Sequence, residues 1–239
     1  MNTQEPKQII SDSKNIYLIT SEEPEAITST LALFYTLKEL GKNVNMVIEA
    51  LPENLKFLAP SLDFISYPKN FVISIPNNIA KISQIYYEKN DEALKINLTL
   101  ESGNIKKDNI SFYFSETKPD LIITVGVKDF SEELPKKLNS FGFLLDSPIL
   151  NIDNSQDNKN FGKINIVEEK SFAEIISQIT ESKSKESANC LLSALVVYTE
   201  NFRNKLTADV FQLAAELMKR GADLKEITNN IASNIIKLS

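Results

Sequence analysis

Residues 150–155 read Leu-Asn-Ile-Asp-Asn-Ser, and residues 161–167 read Phe-Gly-Lys-Ile-Asn-Ile-Val. The first stretch predicts an apolar strand that ends at Asp153, followed by a short polar loop. The second predicts another apolar segment, which starts after Gly162. In a parallel sheet, the loop after Asp153 would line the crevice at the carboxyl ends of the strands. The chain contains no histidine, which removes imidazole from any site there.

The composition predicts a soluble globular protein of the cytoplasm. The chain has 239 residues, 42% of them hydrophobic, and a net charge of −6. No apolar run approaches the ~18 residues that a membrane span needs, and residues 1–14 show no signal-peptide pattern. The single cysteine, Cys190, fits a reducing compartment, and its apolar surroundings predict a buried, inert thiol. The acidic balance and the lack of a basic cluster disfavour general binding to nucleic acid.

The order of apolar segments predicts an α/β fold. A strand at 15–20, a helix at 24–40, a strand at 44–48, a short helical piece at 51–58 and a strand at 71–75 give a β-α-β-α-β pattern, which is typical of a parallel sheet. Later strands are expected at 121–125 and 149–153, with a helix at 130–139 between them.

Two further regions have a different texture. Residues 79–116 alternate apolar and polar side chains between turn signals, which predicts an antiparallel β insertion. Residues 171–236 carry four stretches of helical apolar spacing, with Thr207 as an expected N-cap and Gly221 as an expected C-cap. We therefore expect a polar tail at 1–14 and one domain at 15–236, with the insertion and the helical part inside it.

Five segments resemble, in order and spacing, those of DHH-family phosphoesterases of the DDH superfamily, the RecJ and nanoRNase group: 31–42, 120–125, 151–167, 194–202 and 214–227. The resemblance implies a parallel-rich sheet with helices on both faces. It also implies cleavage of phosphodiester or pyrophosphate bonds by two divalent ions, usually manganese, which activate a bridging water. A C-terminal domain with a Gly-rich motif usually follows in this family, and no counterpart is expected here.

The family's metal ligands map onto mostly neutral residues of this chain. In the first motif Ser21 replaces a histidine, while Glu25 and Ile27 replace two aspartates when Pro24 is the anchor; when the following helix is the anchor, Glu25 falls on the second aspartate. The remaining motif positions are Gly126 in the second motif, Asp153, Asn154 and Ser155 in the third, and Tyr198 in the fourth. Glu25 and Asp153 are thus the two weak candidates for metal ligands.

Structural roles also explain these two carboxylates. Acidic residues at 22, 23 and 25 complement the dipole at a helix N-terminus. An aspartate at a strand end often accepts hydrogen bonds from its own loop. We therefore expect a catalytically inactive domain with no cofactor, which acts through a protein partner or as a homo-oligomer. Two alternatives stay open: a nucleotide or other small ligand in the crevice at the strand ends, and a residual manganese phosphodiesterase rebuilt from Glu22, Glu23, Glu25, Asp129 and Asp153.

Overall fold

The computed structural model describes residues 3–48, 50–61, 64–65, 70–115, 119–130 and 147–232. The chain forms two compact units. The first comprises Met1–Pro68 together with Lys118–Ser239, and the second comprises Lys69–Thr117.

The described elements follow one another in a mixed α/β order. The strands are β1 Asn15–Thr20, β2 Asn43–Val47, β3 Asn70–Ser74, β4 Ala80–Lys89, β5 Leu94–Gly103, β6 Ser111–Ser115, β7 Leu121–Val125, β8 Ile149–Asp153 and β9 Ile164–Val167. The α-helices are α1 Gln4–Asp12, α2 Pro24–Glu39, α3 Phe172–Ile179, α4 Lys185–Tyr198, α5 Ala208–Lys219 and α6 Leu224–Ala232, and 3₁₀ turns lie at Glu53–Leu58 and Lys107–Asn109.

A five-stranded parallel sheet organises the first unit, in the order β2-β1-β7-β8-β9. Strand β7 is buried throughout, as the continuous apolar run Leu121–Val125 predicts for a parallel strand covered on both faces. The start of β7 is tied to the start of β1, because Asp120 Oδ2 accepts hydrogen bonds from the N–H groups of Lys14 (2.9 Å) and Asn15 (2.8 Å). The predicted α/β class with a parallel sheet is confirmed.

Helices cover one face of this sheet and build the main core. Leu18 and Ile123 of the sheet join the same cluster of buried residues as Phe34 of α2 and Leu192 of α4. A buried hydrogen bond of 2.9 Å between the Thr36 and Ser187 hydroxyls joins α2 to α4. On the opposite face a smaller cluster contains Tyr17, Ile19, Ile122 and Val127, against which Phe130 and Phe161 pack. Successive residues of each strand therefore point to opposite faces of the sheet and pack into two separate cores.

The second unit contains two antiparallel pairs. Strands β4 and β5 form a hairpin, and β3 pairs with β6. The hairpin loop is fixed by Asn90, whose side-chain oxygen accepts hydrogen bonds from the N–H groups of Glu92 (3.0 Å) and Ala93 (2.8 Å).

Three sequence expectations need correction. The segment expected to be a polar tail contains helix α1, in which Pro6 and Ile10 are buried and Ile10 joins the main core. Two buried residues are too few to give a mostly polar segment a clear helical pattern. Strand β3 was expected in the parallel sheet, but it pairs with β6 in the second unit, because an apolar run does not specify its partner. The insertion expected at 79–116 within one domain belongs to a second compact unit, Lys69–Thr117, which also contains β3.

Two helix boundaries agree with the sequence, and two predicted segments extend beyond the described residues. The Thr207 hydroxyl accepts a hydrogen bond of 3.2 Å from the N–H of Val210, as an N-cap does, and Gly221 has φ +97° just after α5. The predicted helix at 130–139 lies outside the described residues apart from Phe130, as does the end of the last helix beyond Ala232. Within the described residues no helix is long and apolar enough to cross a membrane.

Candidate functional site

The loops that follow β1, β7 and β8 meet at the carboxyl edge of the parallel sheet, where ligand sites of open α/β sheets form. The N–H of Ser21 donates to the carbonyl of Val125 (3.1 Å), and the N–H of Gly126 donates to the carbonyl of Ile152 (3.0 Å). These two bonds continue the sheet pairing one residue past the strands. The positions of the first three predicted motifs therefore lie side by side.

Gly126 is held against the first loop with no room for a side chain. Its φ is +69°, and a Cβ built on it would lie 2.8 Å from Ser21 Oγ and 3.0 Å from Ala26 Cβ. Within the described residues the buried Ser21 Oγ has no hydrogen-bond partner. A carboxylate at position 126, as the family motif has, would require the first loop to move.

The Asp153 carboxylate is used by its own loop. Its Oδ1 accepts hydrogen bonds from the N–H groups of Asn154 (2.7 Å) and Ser155 (3.2 Å), and its Oδ2 accepts from the side-chain amide of Asn158 (2.6 Å). The residue is 1% exposed. These are the bonds expected of an aspartate that closes a strand-end loop, and they direct both oxygens toward protein donors.

Asn158 is the centre of this loop, and all its polar capacity is used. Its amide nitrogen donates to Asp153 and to the carbonyl of Val127 (2.9 Å), and its oxygen accepts from Asn151 Nδ2 (2.7 Å) and from the N–H of Asn160 (2.8 Å). Asn151 in turn accepts from the hydroxyl of Thr124 (3.0 Å). A fully satisfied buried network of this kind fixes one loop conformation.

Glu25 lies at the N-terminus of helix α3. Its Oε1 accepts a hydrogen bond of 2.8 Å from the N–H of Phe172, the first helical residue. Burial raises the pKa of Glu25 from 4.5 to about 7, and the bond from Phe172, the charge of Lys205 and the Asn154 side chain oppose that rise. The side chain therefore titrates near neutral pH, and its anion complements the α3 dipole.

Tyr198 and Lys205 complete the edge. The Lys205 ammonium lies over the Tyr198 ring, 4.3 Å from its centroid, a cation–π contact. Desolvation raises the pKa of Tyr198, and the negative charges of Glu174 and Glu25 add to the effect. The fourth predicted motif position is therefore brought to the same edge as Glu25, together with a lysine.

An unusual turn between α4 and α5 positions Lys205 at this edge. Glu200, Asn201 and Phe202 have φ values of 51°, 61° and 58°, and Lys205 has 53°. Left-handed backbone costs about 1–2 kcal/mol for each such residue. Hydrogen bonds to Thr199 stabilise the turn, because its carbonyl accepts from the N–H groups of Arg203 and Asn204 (both 2.9 Å).

The other predicted site residues lie in different surroundings. Ile27 is 3% exposed in the main core. Glu22 and Glu23 are exposed, Asp129 is half-buried, and the Ser155 hydroxyl accepts from the N–H of Asp157 (3.3 Å). Among the described residues no group of three or more His, Cys, Asp or Glu side chains could hold a metal ion.

Sequence reasoning missed Asn158, Lys205 and the Phe172 N–H. The Asn-rich run after Asp153 was the available signal for Asn158, since asparagine favours loops that bond their own backbone. No local signal marks Lys205, because an unusual turn positions it.

Cys190 is fully buried, and burial raises the pKa of its thiol.

No protein-family model and no curated protein matches the sequence. The fold resembles that of an exopolyphosphatase-related protein from Bacteroides fragilis. The match has a TM-score of 0.65 and 17% sequence identity, and it covers 97% of this chain and 60% of the other, so this chain spans about three fifths of that protein's length. At this identity the likeness shows the fold alone.

Proposed function

We propose that this chain is a catalytically inactive domain of DHH-type phosphoesterase fold, which acts through its surface as a scaffold or regulatory protein. One observation carries the proposal: the two carboxylates that remain at the family's metal positions accept hydrogen bonds from N–H donors of the chain itself. Asp153 accepts three, and Glu25 accepts one from a helix N-terminus.

The chemistry of the family explains why this matters. Two-metal hydrolysis requires several carboxylates or imidazoles that converge on a shared space and hold two cations close together. Carboxylates whose lone pairs face N–H donors have little left for a cation. The charge of Lys205, which already acts on Glu25, further opposes a divalent ion there.

The protonation of Glu25 supports the same conclusion. A carboxyl with a pKa of about 7 is half neutral at neutral pH, and a neutral carboxyl is a poor ligand for a hard cation. A cation that bound there would first have to displace this proton.

The test combines manganese binding with turnover on the full chain. We expect no saturable heat on titration with Mn²⁺ up to about 1 mM, and a Tm that stays constant, because a ligand selective for the folded state would raise it. Neither a short oligonucleotide nor inorganic polyphosphate should be hydrolysed under the same conditions.

Glu25→Gln is the matched control for contaminating activity. Hydrolysis that depends on manganese and disappears in Glu25→Gln would overturn the proposal in favour of the rebuilt phosphodiesterase. Hydrolysis that persists unchanged in the variant does not depend on Glu25. A reproducible rise of Tm with a nucleotide alone would instead favour a small-ligand domain.

A further inference from the structure

The β4–β5 hairpin of the second unit has one apolar side. Ile85 lies opposite Leu98, and Tyr87 lies opposite Ile96; directly opposed residues of an antiparallel pair share a face. Alternate positions of β5 extend this side along the hairpin, and Ile82 lies opposite Leu100 beyond an irregularity in the pairing. We call it the hairpin face, and it comprises Ile82, Ile85, Tyr87, Leu94, Ile96, Leu98 and Leu100.

The opposite side of the hairpin is mostly polar. Gln84 lies opposite Thr99 there, and Glu88 lies opposite Lys95. An ion pair of 2.9 Å between Lys81 and Glu101 adds to it. Apolar and polar side chains are therefore separated onto the two sides of the hairpin, as in antiparallel sheets that pack one face and expose the other to solvent.

The hairpin face is open to solvent. Tyr87 is 73% exposed, Ile85 69%, Leu94 60% and Ile96 48%. Side chains of this size and exposure add up to on the order of 500 Å² of contiguous apolar surface, the size that marks an interaction site. A two-stranded ribbon alone is also only marginally stable in water, so covering this face would stabilise the hairpin itself.

We propose that a second copy of this chain covers the hairpin face, with the two faces packed against each other about a two-fold axis. The proposal rests on the surface role proposed above and names the partner. Two such faces would bury about 1,000 Å² in total, which reaches the area expected of a specific interface.

Self-pairing suits the shape and the charge of the hairpin. Both strands have ten residues, so two ribbons can stack along their full length in the aligned packing of two sheets. A two-fold interface brings each patch against its own copy, which an uncharged patch permits and a charged one opposes. The pairs Ile85–Leu98 and Tyr87–Ile96 carry no charge, and Lys89 lies opposite Leu94 only at the loop end of this side. Residues 80–103 are almost neutral, with three lysines and four acidic residues.

Two adjacent tyrosines provide a matched pair of variants. Tyr87 lies on the hairpin face, and Tyr86, which is 53% exposed, lies opposite Asn97 on the other side. Sedimentation equilibrium of the full chain at about 1–200 µM would compare the wild type with Tyr87→Lys and Tyr86→Lys, a range that brackets micromolar dissociation constants. We expect a dimer for the wild type and for Tyr86→Lys. Tyr87→Lys occurs twice in the interface and should raise the dimer Kd by about 100-fold or more.

A monomeric wild type over this range would overturn the proposal, and so would a dimer that both variants weaken equally or that neither weakens. Far-UV circular dichroism checks folding, and if Tyr87→Lys does not fold, Ile96→Lys with Asn97→Lys as its control gives the same comparison on β5. These outcomes are independent of the manganese test. If the chain is monomeric and hydrolyses nothing, only the dimer proposal is refuted. If it is a dimer with metal-dependent hydrolysis, only the proposal of a catalytically inactive domain is refuted.

Discussion

Replacing Glu25 by glutamine tests whether this buried carboxyl is a structural acceptor. The variant keeps an oxygen for the N–H of Phe172 but cannot ionise. In the wild type the pKa of Glu25 is about 7 in the folded state, against an ordinary value of 4.5. Between these values the folded chain holds a proton that the unfolded chain has released, so stability falls as the pH rises. The stabilisation is fully present below about pH 4.5 and is lost as the pH passes about 7, and it amounts to about 3 kcal/mol in all.

Urea denaturation of both proteins between about pH 5.5 and pH 8.5 would sample about 2 kcal/mol of this difference. We expect Glu25→Gln to gain that much relative to the wild type as the pH rises across the range. Groups common to both proteins cancel in the comparison. Glu22→Gln, which removes the same charge from an exposed position three residues earlier, should show no such gain. A difference between Glu25→Gln and the wild type that is the same at both ends of the range, within about 0.5 kcal/mol, would refute the reasoning.

Two further variants test the contacts at the sheet edge. Asp153→Ala leaves two backbone N–H groups and the amide of Asn158 without their acceptor, so urea denaturation should show a loss of about 3 kcal/mol, while the exposed control Asp157→Ala should change stability by less than about 0.5 kcal/mol. Gly126→Ala combines a left-handed backbone with a clash and should cost roughly 3 kcal/mol, whereas Gly41→Ala, with φ +73° and open space around it, should cost about 1 kcal/mol; equal losses at the two glycines would contradict the crowding at Gly126.

The strands of the parallel sheet were the easiest part of the fold to predict. Leu121–Val125 is a short, almost wholly apolar run, as expected of a strand buried on both faces, and Ile149–Asp153 is apolar at three of its five positions. The run at Phe71–Ile75 looks the same, yet its strand pairs with β6 outside that sheet. Strand pairing depends on residues distant in the chain, and a single run does not contain that information.

The candidate site was predictable where a residue bonds to neighbours in the sequence. Asp153 ends a strand, and the loop that it bonds follows directly in the sequence. Glu25 was expected at the N-terminus of its own helix α2, but its hydrogen bond goes to α3, which starts 147 positions later. Lys205 reaches Tyr198 through left-handed residues other than glycine, a conformation that the residue types there do not signal.

The pairing of β1 with β7 is delayed by the order in which the chain is synthesised. Asn15 and the carboxylate of Asp120 that binds it are 105 positions apart, and the whole second unit lies between the two strands in the chain. At ribosomal rates the apolar β1 must wait about 5–20 s for its central neighbour to be made. During that time the hairpin of the second unit, a local structure, can already form, while the parallel sheet cannot be completed without β7. The order of translation, as well as the final contacts, therefore determines how long the apolar strand β1 stays exposed to chaperones and to other nascent chains.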